Sequence, residues 1–136
     1  MIVVDTNIIV PLLIEAPATP LARKLWKRDR QWLVPVLWRS EFLNVLWLAV
    51  SSKVLREDSA LDAWKRALRL FSTSERAVDG DHVLKTALKY GITAYDAHFV
   101  SLADKLGVKL VTNDKKSLSD KCPDALVVRL SSIVGT

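Results

Sequence analysis

Cysteine is nearly absent: one residue, Cys122, in a chain of 136. A lone thiol closes no internal disulfide, and no Cys or His stands near it at metal-ligand spacing, so Cys122 reads as a loop residue without a role. Long apolar runs are missing too, each being interrupted well before the ~18 residues that a membrane span requires. The apolar start MIVVDTNIIVPLL has no basic n-region and is broken by Asp5 and Asn7, which argues against a secretory signal. No internal repeat, linker or low-complexity segment divides the chain. These absences lead to the expectation of a cytoplasmic protein forming one domain over residues 1–136, long enough to bury about two-thirds of its unfolded surface. Apolar residues make up 50% and charged residues 26%, which excludes intrinsic disorder. The 20 Lys and Arg against 15 Asp and Glu leave a net +5, a weak pointer to a polyanionic partner.

What is present is an alternation of short apolar runs and helical patterns. IVVD at 2–5 predicts a buried strand, followed by a helical turn or two that Pro11 limits. Thr19 as N-cap with Pro20 after it predicts a helix to about Arg30. WLVPV at 32–36 is a second strand, and a long helix runs from Leu37 to about Val54. Another helix spans Asp58 to Ser72, with Leu61, Trp64, Leu68 and Phe71 spaced as a core face. Further helices cover Gly80 to Tyr90, closed by Gly91, and Thr93 to Leu106, closed by Gly107. The strand VKLVT, a helical turn after Asp114 and a last strand ALVVRL complete the chain. Continuous apolar strands separated by helices predict an α/β fold with a mostly parallel sheet covered on both faces.

In such a sheet ligands bind at the carboxyl ends of strands, and acids gather there. Asp5 closes the first strand, Asp114 lies just past Thr112, and Asp96 is in the first turn of the helix leading into that strand. Capping explains each of them individually: Asp5 and Asp114 stand where N-caps stand, and Thr93 with Asp96 resembles a capping box. Glu41 is different, because its helical neighbours Leu37, Trp38, Val45 and Leu48 are apolar. A carboxylate there needs a charge partner or a metal, with Asn44 one turn on as a hydrogen-bond donor to it. Asp5, Glu41, Asp96 and Asp114 can thus converge at one sheet edge, where crowded carboxylates repel unless a hard divalent cation neutralises them. An all-oxygen set favours Mg²⁺ or Mn²⁺ and supports attack of an activated water on a phosphodiester.

DTN at 5–7, SEFLN at 40–44, TAYDAHFVSLA at 93–103 and LVTNDKK at 110–116, in this order, resemble a PIN-domain ribonuclease, specifically a VapC-type toxin of a toxin–antitoxin pair. The resemblance spans nearly the whole chain. It implies a three-layer α/β/α PIN sandwich in which Asp5, Glu41, Asp96 and Asp114 hold one or two Mg²⁺ or Mn²⁺ ions for endonucleolytic cleavage of RNA. It implies pocket support from Thr6, Asn7 and Thr112, a homodimer, and a small VapB-like antitoxin whose segment covers the acidic pocket, often with an Arg among the carboxylates. His98, where relatives more often carry an apolar residue, and the stretch from Val54 to Asp79 depart from the pattern.

Basic residues fit a nucleic-acid substrate less sharply. Arg23, Lys24, Lys27, Arg28 and Arg30 crowd one helix, Lys115 and Lys116 flank Asp114, and Arg39 is placed to reach the pocket rim. Of these, Arg28, Arg39, Lys115 and Lys116 are the candidate phosphate contacts, and a solvated helix face is the alternative. Trp26, Trp32, Trp38, Trp47 and Trp64 offer base stacking or, more simply, core and interface packing. His82 and His98 are not assigned to catalysis. A haloacid-dehalogenase phosphatase needs a second Asp where Asn7 stands, and a phospho-receiver domain needs an acidic pair at the first strand. The remaining rivals are a PIN nuclease of RNA maturation or decay and a PIN module that only binds.

Overall fold

The computed structural model describes residues 1–113 and 116–135, and the side chains of all these except residues 116 and 117. In chain order the elements are β1 (Ile2–Val4), α1 (Thr6–Leu13), α2 (Thr19–Arg28), β2 (Trp32–Pro35), α3 (Trp38–Ser51), α4 (Glu57–Phe71) and β3 (Glu75–Arg76). They continue with α5 (Gly80–Tyr90), α6 (Ala94–Leu106), β4 (Leu110–Thr112), α7 (Lys116–Lys121), β5 (Val127–Arg129) and α8 (Leu130–Val134). Among the described residues the strands form one five-stranded sheet in the order β3-β2-β1-β4-β5. Every pairing is parallel, as continuous apolar strands require, with Ile2 opposite Trp32 and Val4 opposite Val111. Helices cover both faces, giving the expected α/β sandwich.

This order decides where a ligand sits. From β1 the chain crosses to β2 on one side, whereas β4 connects to β5 on the other, so a crevice opens between the carboxyl ends of β1 and β4. Asp5 and Asn113 are the first residues past those two strands. The 13-residue α6 is roughly 20 Å long and runs back against β1, β2 and β4, which returns its N-terminal turn, with Asp96, to the same edge.

The core is aromatic in its β2–α3–α4 quarter. Trp32, Trp38 and Phe71 are fully buried, and Phe71 meets Trp26, Trp32 and Trp38 at ring-centroid distances of 6.3, 6.1 and 5.6 Å. Trp64 tilts over Trp38 at 5.8 Å. Four of the tryptophans therefore pack inside or against the core, while Trp47 is exposed.

Several expectations need correction. Thr19 does not cap α2; Ala18 holds that position, and the Thr19 hydroxyl turns back to donate to the Pro11 carbonyl at 2.6 Å. That carbonyl belongs to the last turn of α1, where intrahelical donors run out. The buried face of α4 is Ala60, Ala63, Ala67 and Phe71, while Leu61 is 55% exposed. Small alanines let α4 approach the neighbouring layer closely, so the larger residues lie at its sides. Strand β3 and helix α8 had no recognisable pattern in the sequence. Cys122 does lie in the connection after α7, and its thiol is buried against the core. Gly91 and Gly107 do close α5 and α6 in left-handed conformation, at φ of 64° and 66°. Past Gly107 the Val108 amide donates back to the Ala103 carbonyl at 3.1 Å. A Cβ at Gly107 would meet nothing within 4 Å, so Gly107→Ala carries only the backbone penalty of the left-handed region. Chemical denaturation should therefore register a loss of about 1–2 kcal/mol; an unchanged midpoint would mean that the helix end re-forms differently.

Candidate functional site

Asp5 occupies the N-cap position of α1, yet its side chain makes no cap hydrogen bond. The carboxylate instead accepts the Thr112 hydroxyl at 3.0 Å, across the crevice between β1 and β4. Asp5 and Thr112 are 2% and 0% exposed, so this contact satisfies groups that water does not reach. The capping explanation for Asp5 fails on that geometry.

Asn7 binds the turn that leaves β4. Its Nδ2 donates to the Asn113 carbonyl at 3.2 Å while its Oδ1 accepts the Asn113 amide at 3.0 Å. The side-chain amide thus replaces a strand partner for the backbone just before Asp114. A further donation from Nδ2 to the Thr112 hydroxyl, 3.2 Å, leaves the Thr112 proton for Asp5. Thr6, next in α1, donates its hydroxyl to Glu41 Oε1 at 2.8 Å. Glu41 lies in the first turn of α3 and is half-buried. Asp5, Thr6, Asn7, Glu41 and Asn113 line one cavity of about 690 Å³, whose remaining wall is apolar: Val10, Pro11, Pro17, Leu21 and Val45.

Asp96 is half-buried at the start of α6 and does not line that cavity. Its backbone amide donates to Thr93 Oγ1 at 3.1 Å, so Thr93 caps the helix through the main chain of Asp96. The Asp96 charge reaches Cys122: burial foremost, and Asp96 second, push that thiol upward. Asp114 and Lys115 lie outside the described residues, as does the Lys116 side chain. Among the described residues no group of three or more acidic, His or Cys side chains stands close enough to hold a metal.

The other expected site residues are placed differently. Asn44 is exposed and makes no hydrogen bond to Glu41 among the described residues. Arg39 does not reach the pocket rim. Its guanidinium makes a two-pronged contact with Glu75 on β3, Nε to Oε2 at 2.7 Å and Nη2 to Oε1 at 2.6 Å, and the Trp38 indole donates to the same Oε2 at 3.0 Å. A planar guanidinium matched to a carboxylate holds better than a water-exposed phosphate contact. Arg28 turns one N–H onto the Ile133 carbonyl of α8. His98 Nδ1 donates to the Ala94 carbonyl at 2.6 Å and His82 faces Asp104 at 3.2 Å, both away from the cavity.

Glu75 is the residue that sequence reasoning missed. A two-residue strand without an apolar run gives no pattern to read. Its Arg39 partner holds the Glu75 carboxyl below the usual carboxylate range, against the opposing effect of burial, with the Trp38 indole assisting. A folded-state pKa below the unfolded one contributes stability that is present above the unfolded value and lost as pH falls through the folded one. Acid unfolding monitored from pH 6 downward should therefore show a steeper loss in the parent than in Glu75→Gln, the difference opening below the ordinary glutamate range. Parallel curves would mean that the pair contributes nothing to the pH dependence.

The comparisons with known proteins fall on this geometry. The PIN domain model matches residues 2–122. The chain belongs to the PIN-domain family. This PIN domain is 33% identical over 128 residues to Ribonuclease VapC3 of Pyrobaculum aerophilum, an alignment covering 90% of this chain and 95% of that protein. Its fold is similar to the crystal structure of FitAcB from Neisseria gonorrhoeae, with a TM-score of 0.69 and 19% identity over 96% of this chain and 98% of that one. It is also similar to PAE2754 from Pyrobaculum aerophilum, at a TM-score of 0.64 and 23% identity over 98% and 92% of the two chains. Among the described residues, no helix of this PIN domain is long and apolar enough to cross a membrane.

Proposed function

We propose that this PIN domain is a divalent-metal-dependent endoribonuclease, the toxin of a VapBC-type pair, acting on RNA in the cytoplasm. The observation that carries this is the placement of Asp5 and Glu41 in one cavity at the β1–β4 crevice, each carboxylate oriented by a threonine hydroxyl. The name of the 33% identical relative, Ribonuclease VapC3, agrees with it.

The donor set suits a hard cation. Asp5 and Glu41 offer oxygen only, each takes a hydrogen bond from a neutral threonine hydroxyl, and the single thiol, Cys122, is buried in the core. Asp5, Glu41, Asp96 and Asp114 would hold Mg²⁺ or Mn²⁺. When bound, such an ion supplies Lewis acidity toward water and toward the scissile phosphodiester. The protein's part is orientation. Thr112 fixes one Asp5 oxygen, Thr6 fixes one Glu41 oxygen, and Asn7 holds the backbone of Asn113. Lys115 and Lys116 follow Asp114 directly and are the assigned phosphate contacts; Arg39, tied to Glu75, is not.

The apolar wall of the cavity suits a small antitoxin segment that brings apolar side chains and an Arg to the carboxylates. Leu84 and Leu88, one turn apart on α5, are 58% and 75% exposed, apolar surface available to a second copy in a homodimer.

The test uses the purified chain freed of any co-purifying partner, with structured and unstructured RNA, matched DNA, and Mg²⁺, Mn²⁺ or EDTA. RNA cleavage that requires metal is expected, together with a Mn²⁺-induced rise in melting temperature through binding linkage. No cleavage of any RNA and no Mn²⁺ shift would make the domain a binding module.

A further inference from the structure

We propose that Glu75 is a positioning residue for Glu41: through Trp38 and Arg39 it fixes the rotation of the first turn of α3 and thereby the direction of the Glu41 carboxylate. This rests on the reading of Glu41 as a metal-site residue given above.

The geometry is that of a helix end gripped from two sides. Arg39 and Glu41 are two residues apart, about 200° around the helix axis, so their side chains leave α3 in nearly opposite directions. On one side Thr6 holds Glu41 at 2.8 Å. On the other, Glu75 receives three hydrogen bonds from consecutive residues of that turn, two from Arg39 and one from Trp38. The Glu75 side chain is only 12% exposed, and its strand is hydrogen-bonded to β2, with Pro35 opposite Arg76. The anchor is therefore the sheet itself. No side-chain hydrogen bond caps the N-terminus of α3, and much of the helix's outer face, Leu43, Trp47 and Leu48, is exposed. Loss of the Glu75 grip frees the turn to rotate, and a small rotation at the axis moves the end of a glutamate side chain further than its Cα.

A positioning role differs from a merely stabilising one in what it changes in folded protein. In the metal-free chain, Glu75→Ala should shift the carboxyl carbon resonance of Glu41 and the methyl resonance of Thr6. Asp58→Ala, which breaks an exposed Arg56–Asp58 pair, should move neither. Titration with Mn²⁺ well below the melting temperature should give Glu75→Ala an affinity about 10-fold weaker or more, within the range for lost supporting contacts at metal sites. Should Glu75→Ala fold poorly, Glu75→Gln, which keeps an acceptor for the indole, gives a smaller shift of the same sign. The exchange Arg39→Glu with Glu75→Arg should recover part of both signals. Unmoved Glu41 and Thr6 resonances, or no recovery in the exchanged pair, overturn the proposal. A parent that binds no Mn²⁺ overturns the metal reading instead, and the metal-free resonances still decide the role of Glu75.

Discussion

Asp96→Asn should lower metal-dependent RNA cleavage by at least ~100-fold, beyond the range seen for residues that only support a metal ligand. The same substitution should leave the metal-free protein within about 1 kcal/mol of the parent. Two opposing effects set that narrow window: losing a negative charge in the first turn of a helix costs about 0.3–1 kcal/mol, while in the proposed metal site removing one carboxylate relieves repulsion. The cap is not at stake, because the donor to Thr93 is the main-chain amide of residue 96, which Asn retains. A fall in activity can therefore be read as chemistry and not as fraying of α6. Mn²⁺ should raise the mutant's melting temperature much less than the parent's. Parent-level cleavage by purified Asp96→Asn would remove Asp96 from the site, and equal Mn²⁺ shifts would place the ion elsewhere.

The largest effect on stability is expected from Phe71→Ala. Phe71 is fully buried and touches Trp26, Trp32 and Trp38, joining α2, β2 and α3 beneath α4. Truncating such a ring removes its burial and leaves a cavity that three stiff indoles cannot collapse to fill, at a cost of about 3–5 kcal/mol. Against a total stability of about 5–15 kcal/mol, that is roughly a fifth or more of what holds the domain. The melting temperature should fall by roughly 10–20 °C. Cleavage per folded molecule, measured well below the transition, should change little, since no residue of the aromatic cluster lines the carboxylate cavity. A loss under about 1 kcal/mol would mean that the cluster repacks, against the expectation for a rigid interior.

The sequence made the sheet legible because its strands are buried on both faces and read as continuous apolar runs, and because Gly91 and Gly107 punctuate two helices. Asp5 and Glu41 were visible for complementary reasons: one acid stood at a strand end and the other on an apolar helix face. What sequence could not carry was competition between partners. Asp5 looked like an N-cap because residue type alone does not tell whether a side chain folds back on its own helix or reaches across to Thr112. Arg39 looked like a pocket residue because its true partner lies in a strand of two residues. In α4, hydropathy favoured Leu61 and its neighbours, whereas close packing favoured the alanines. Asp114, read from the same pattern as the others, falls outside the described residues.

The place of β1 has a consequence for synthesis. The strand lies at the middle of the sheet and needs β4, more than a hundred residues later, as its second neighbour. A ribosome-bound chain that has not yet produced Leu110–Thr112 leaves β1 as an open edge and Asp5 without the Thr112 hydroxyl. Contacts this distant in sequence form slowly and late. Asp5 therefore waits for synthesis to run 107 residues past it before the hydroxyl that fixes its carboxylate exists.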